Sequence, residues 1–114
     1  MSPQINLTIV ALKSLRGEEG SSANMVRLTQ TRSPFLISIV LEGEDYVEYR
    51  ITVLDGSGRI VWKRGGLRRD SHDLLSVGFN SSFFRPGRYL FKVEGISNGG
   101  DVRPVGDYPL RIVK

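Results

Sequence analysis

The sequence predicts an all-β, immunoglobulin-like antiparallel β-sandwich of seven or eight strands, forming a single domain over residues 1–114. Three observations predict it. Apolar residues recur with a period of two rather than 3.6. Short Gly- and Pro-containing turn sequences separate the alternating runs. No window of ten or more residues carries a helical stripe; Val10–Leu15 and Ser81–Phe84 each have room for one helical turn.

The alternating runs follow in order along the chain. Ile5, Leu7 and Ile9 alternate with Asn6 and Thr8, and Met25–Thr29 has the composition of a further short strand. Phe35, Ile37, Ile39 and Leu41 form the next set. Tyr49, Ile51 and Val53 alternate with Arg50 and Thr52, and Ile60 shares a strand face with Trp62. Leu75, Val77 and Phe79 follow, then Tyr89, Phe91 and Val93, then Tyr108, Leu110 and Ile112. Each set sends one face to a core and the other to solvent, as strands of an antiparallel sheet do.

The breaks carry turn chemistry. Gly17–Ser22 reads as a loop after the first strand. Asp55-Gly56-Ser57-Gly58 reads as a hairpin whose glycines supply positive φ, and Asn98-Gly99-Gly100-Asp101 joins the last two strands. Pro86-Gly87 suits a type II turn with glycine at the positive-φ position. Pro34 begins a strand. Pro109 falls inside the last strand, which is therefore expected at a sheet edge or bulged at that residue.

Composition excludes several classes. Apolar residues are 39% and charged residues 25% of the chain, a globular balance. No apolar run approaches the roughly 20 residues of a membrane span. With no cysteine there is no disulfide scaffold, thiolate metal site or cysteine nucleophile. A net charge of +4 is modest and nucleic acid is not an expected partner. Met1–Asn6 lacks a basic segment followed by an apolar one, so the domain is expected to be a piece of a longer chain or cytoplasmic.

Ser71-His72-Asp73 holds the residue types of a hydrolase triad. Consecutive side chains in an extended segment point to opposite faces, so the stretch reads as a polar loop. His72 is the sole histidine and has no neighbours at zinc-ligand spacing. Glu42, Glu44 and Asp45 form one acidic loop and Glu18-Glu19 a second, of the kind hard cations use. Both read as solvated turns, and no cofactor is expected. Gly65-Gly66 lacks the context of a phosphate loop.

Arg59, Lys63, Arg64, Arg68 and Arg69 are the densest basic stretch and the candidate partner surface. Positive charge there also discourages edge-to-edge strand pairing. Trp62 is expected in the core or on its rim. Tyr46, Phe83 and Phe84 are expected under loops rather than as sugar-stacking platforms. Pro86, Gly87 and Tyr89 form a structural corner: a turn delivers Tyr89 to the start of a late strand, where its hydroxyl can bond back upstream as in a tyrosine corner.

Four stretches together are similar to a known segment: Tyr49–Val53, Asp55–Trp62, Phe84–Tyr89 and Asp107–Val113. They resemble the extracytoplasmic β-sandwich of bacterial anti-sigma-factor-like membrane proteins, over about two-thirds of the chain. The resemblance implies an extracytoplasmic, membrane-tethered domain, with the membrane reached only through a missing upstream segment. The zinc module and membrane helix of those proteins have no counterpart here.

The expected function is therefore non-catalytic: an interaction or sensory domain of a larger bacterial protein, with an unknown protein partner or self-association. The alternative is a carbohydrate-binding or spacer module of a secreted enzyme. A small enzyme would have to rely on carboxylates or lysine.

Overall fold

A computed structural model describes residues 8–12, 24–27, 34–41 and 45–113. It contains eight strands: β1 (Thr8–Leu12), β2 (Asn24–Arg27), β3 (Pro34–Val40), β4 (Glu48–Asp55), β5 (Ile60–Leu67), β6 (Leu74–Asn80), β7 (Gly87–Ile96) and β8 (Val102–Val113). The expected turn at Ser81–Phe84 is a 3-10 turn over Ser81–Phe83, capped by the Asn80 side chain. Where a single helical turn had room over Val10–Leu15, the described residues are strand.

The strands form a sandwich of two sheets, in orders β1-β3-β6 and β2-β8-β7-β4-β5. Four of the ladders are antiparallel, while β1–β3 and β2–β8 are parallel. The order β8-β7-β4-β5 matches G-F-C-C′ of an immunoglobulin variable domain.

The core follows the alternation. Phe35, Ile37, Ile39, Leu75 and Val77 from the small sheet meet Tyr49, Ile51, Val53, Phe91, Val93, Tyr108, Leu110 and Ile112 from the large one, all buried. The two sheets are also tied by a hydrogen bond from the Tyr108 hydroxyl to the Val40 carbonyl, 3.2 Å.

Two strands depart from the expected phase. Ile9 is 62% exposed whereas Leu12 is buried. The register Val10↔Ile37 and Leu12↔Ile39 puts the even-numbered residues of β1 on the core face. Ile5 and Leu7 lie outside the described residues, as does the Gly17–Ser22 loop. In β5, the register steps from Val53↔Trp62 to Leu54↔Ile60, so Val61 is an inserted bulge residue. Ile60 and Trp62 therefore do not share a face. Trp62 packs edge-on against Phe79 at 5.0 Å, on the rim of the core, and Ile60 points outward.

Pro109 also departs from expectation. The bulge of β8 is at Val105, between Val93↔Gly106 and Glu94↔Pro104. Pro109 pairs with Leu90 and sits one residue before β2 joins the other side of β8 at Leu110.

Candidate functional site

The basic stretch is dispersed by the way β5 is built. A second register step, from Ile51↔Arg64 to Tyr49↔Leu67, makes Gly65-Gly66 a bulge with Gly66 at φ +68°. Bulges and lysine or arginine side chains both blunt a sheet edge against pairing with another strand. Lys63, opposite Thr52, lies on the outward face, and Arg64, opposite Ile51, on the other. Both are exposed, as are Arg59 in the preceding hairpin and Arg68.

Arg69 is different. Its side chain is only 19% exposed and ion-pairs with Asp45 at 2.6 Å and Asp73 at 2.7 Å. It also donates to the buried Tyr49 hydroxyl at 3.2 Å. Its ionisation is pushed above arginine's already high value, first by Tyr49 and then by Asp73. Arg69 thus ties three segments of its own fold together. Asp45 is taken up in that cluster, while Glu18, Glu19, Glu42 and Glu44 lie outside the described residues.

Three turns share one construction: two close the β4–β5 and β7–β8 hairpins, and the third carries the chain from β5 to β6 in the other sheet. In Asp55–Arg59, Asp70–Leu74 and Ser97–Asp101, the first residue donates its N–H to the fifth residue's carbonyl. In each, the fourth residue donates to the first residue's carbonyl. Each fourth residue also has positive φ: Gly58 at +86°, Asp73 at +61° and Gly100 at +88°. In each, the first residue's side-chain oxygen accepts from the fifth residue's N–H, at 3.0–3.2 Å. The carboxyls of Asp55 and Asp70 are held below the usual range by these bonds: for Asp55 chiefly by the Ser57 hydroxyl, for Asp70 by the Leu74 and His72 amides.

Ser71-His72-Asp73 therefore lies in the tight turn that carries the chain from one sheet to the other. The Asp73 carboxylate turns to Arg69, and the Ser71 Oγ–His72 Nδ1 separation is 3.4 Å. No relay from Asp73 to His72 exists. Among the described residues no group of three His, Cys, Asp or Glu side chains is placed to hold a metal.

At the Pro86-Gly87 corner the Tyr89 hydroxyl donates to the Arg85 carbonyl at 2.9 Å and accepts from the Arg85 N–H at 3.1 Å. This is the contact of a tyrosine corner. Gly87 has φ +145°, well beyond the +80° or so of a type II turn, so the chain bends openly into β7.

Two clefts of about 350 Å³ each lie at opposite ends of the sandwich. One is lined by Asp45, Tyr46, Val47, Ser97, Asn98 and Arg103. Tyr46 is half-buried there, its ring over Gly95 and edge-on to Tyr49. The other is lined by Asp55, Arg59, Val61, Phe83, Arg85 and Tyr89. Phe84 is buried beneath it, against Tyr89 at 4.9 Å, whereas Phe83 is 43% exposed.

The chain is similar in fold to CopC from Methylosinus trichosporium OB3b. The match covers 82% of this chain and 87% of that one, at 21% identity and a TM-score of 0.51. That likeness is one of sandwich architecture. No protein-family model matches the sequence, and no curated protein does.

A surface that sequence reading did not find lies on the outward face of the large sheet. Register aligns Pro109, Leu90, Leu54 and Ile60 in one apolar row across four strands. Beside it Arg88 and Arg111 stand directly opposite each other. Like charges so placed oppose sheet pairing. On the far side, Lys92 faces Asp107 and Arg50 pairs with Glu94 at 2.9 Å. The signal would have been Leu54 and Leu90, outward apolar positions in their strands.

Proposed function

We propose that this is a non-catalytic interaction domain that docks an acidic, amphipathic segment of a partner protein on the outward face of its five-stranded sheet. The observation that carries the reading is the Pro109–Leu90–Leu54–Ile60 row with the Arg88–Arg111 pair beside it. An apolar row offers area, and two facing guanidiniums that repel each other gain from a carboxylate between them. The residue types of a triad being consumed in a turn supports binding over turnover.

In this reading the domain lies outside the cytoplasm, as part of a larger anti-sigma-factor-like bacterial membrane protein. The strand and turn motifs at Tyr49–Val53, Asp55–Trp62, Phe84–Tyr89 and Asp107–Val113 support that placement. A reporter active only outside the cytoplasm, fused to the full-length chain, tests it.

The docking test uses a labelled peptide with a leucine face flanked by glutamates, read by anisotropy. Expected are saturable binding that weakens with salt, a loss of tenfold or more in Arg88→Glu/Arg111→Glu, and no loss in the Arg64→Glu control. Equal effects of the two variants, or binding to anionic vesicles instead of the peptide, would overturn it.

A second reading, carbohydrate binding, is favoured by the other cleft, where the Tyr46 ring, Asn98 and Arg103 edge one groove. A glycan array whose signals vanish in Asn98→Ala would support it.

A further inference from the structure

The Arg59–Arg85 cleft adjoins the docking face but shares none of its residues. Its wall is aromatic. Phe83 packs on Phe84 and Phe79 at 4.9 and 5.5 Å, and Phe84 in turn contacts Tyr89 and Phe79. The Tyr89 hydroxyl is occupied by the Arg85 backbone, and the exposed ring of Phe83 is the apolar surface of a largely polar cleft. Its rim is charged. Among the described residues no carboxylate lies within ion-pair distance of the Arg59 or Arg85 guanidinium. Asp55 lines the same cleft, but its Oδ1 is committed to the Ser57 N–H, the Ser57 hydroxyl and the Arg59 N–H.

We infer that this cleft binds a small ligand carrying one carboxylate on a flat apolar body, the ring against Phe83 and the carboxylate between Arg59 and Arg85. Charge sets the class. Two guanidiniums less one Asp55 carboxylate leave one positive charge among the lining residues, which suits a monoanion better than a phosphate dianion. Size agrees, since a volume of about 350 Å³ lies at the small end of the roughly 300–1,000 Å³ of ligand pockets. An exposed phenylalanine on an otherwise buried aromatic stack is also the kind of surface a planar ligand covers at little ordering cost.

Such a ligand could be a free aromatic acid or the C-terminal carboxylate of a chain ending in an aromatic residue. Titration of the isotope-labelled chain with benzoate and with N-acetylphenylalanine, read by amide shifts, distinguishes the two. Expected are saturable shifts confined to residues 55–61 and 83–89, and binding weakened about fivefold or more in Arg59→Gln and in Arg85→Gln. Benzamide and phenyl phosphate are expected to bind more weakly than benzoate, and Arg85→Lys to retain part of the affinity. Benzamide binding as well as benzoate, glutamine variants that bind like the parent, or shifts elsewhere would overturn the inference. Arg111→Glu, outside both segments, should weaken peptide docking and leave benzoate binding unchanged, so failure of the docking proposal and failure of this one read out separately.

Discussion

Arg69 donates a hydrogen bond to the hydroxyl of Tyr49 at 3.2 Å, and Tyr49 is otherwise buried at the start of β4. The same hydroxyl accepts from the Tyr46 N–H at 3.2 Å. With its two aspartate partners, Arg69 joins the segment before β4 to the turn between β5 and β6. Tyr49→Phe should cost about 1.5–3 kcal/mol in urea unfolding, the worth of a hydrogen bond to a charged donor. Arg69→Ala should lower the urea midpoint more than Arg64→Ala or Arg68→Ala. Equal midpoints for the three would mean that the cluster contributes nothing.

Gly95 pairs with Tyr49, and the Tyr46 ring covers the space where its side chain would stand. Gly95→Ala should destabilise by about 1–3 kcal/mol, the usual cost of overpacking. Tyr46→Ala on that background should recover part of the loss. A double-mutant cycle with no coupling would refute the contact.

The two bonds between the Tyr89 hydroxyl and the Arg85 backbone hold the corner before β7. Tyr89→Phe keeps the ring against Phe84 and removes only these bonds. A loss of about 1–2 kcal/mol is expected, with the fold unchanged by circular dichroism.

Asp55 and Asp70 both titrate below the ordinary value of 3.8, because turn hydrogen bonds favour their charged forms. Their folded values are depressed, so the stability they add is present above 3.8 and disappears as pH falls through the folded values. Unfolding midpoints should be flat from pH 7 to pH 5 and fall below about pH 4. Asp55→Asn/Asp70→Asn keeps side-chain acceptors in both turns. It should flatten that acid limb relative to the parent; an unchanged limb would assign the acid sensitivity to other carboxylates.

Much of the fold was legible because alternation is a local property. Phe35, Ile37 and Ile39, or Tyr108, Leu110 and Ile112, declare their inner face without reference to a partner strand. Bulges are not legible in this way. An extra residue at Val61 reverses the phase between Ile60 and Trp62, and only the opposing strand β4 reveals it. The candidate basic surface shows the same limit at one residue. Arg68 and Arg69 are adjacent and chemically identical in the sequence, yet one is exposed and the other is locked to Tyr49, Asp45 and Asp73.

The sequence by itself determined an all-β sandwich, the places where its strands turn, and the tyrosine of its corner. Each depends on residues near one another in the chain. Tertiary structure decided which strands pair in parallel, where the bulges fall and which outward side chains meet. The Pro109–Leu90–Leu54–Ile60 row and the Arg88–Arg111 pair exist only once β8, β7, β4 and β5 are in register. Their members are scattered between Leu54 and Arg111, and pairing alone makes them neighbours.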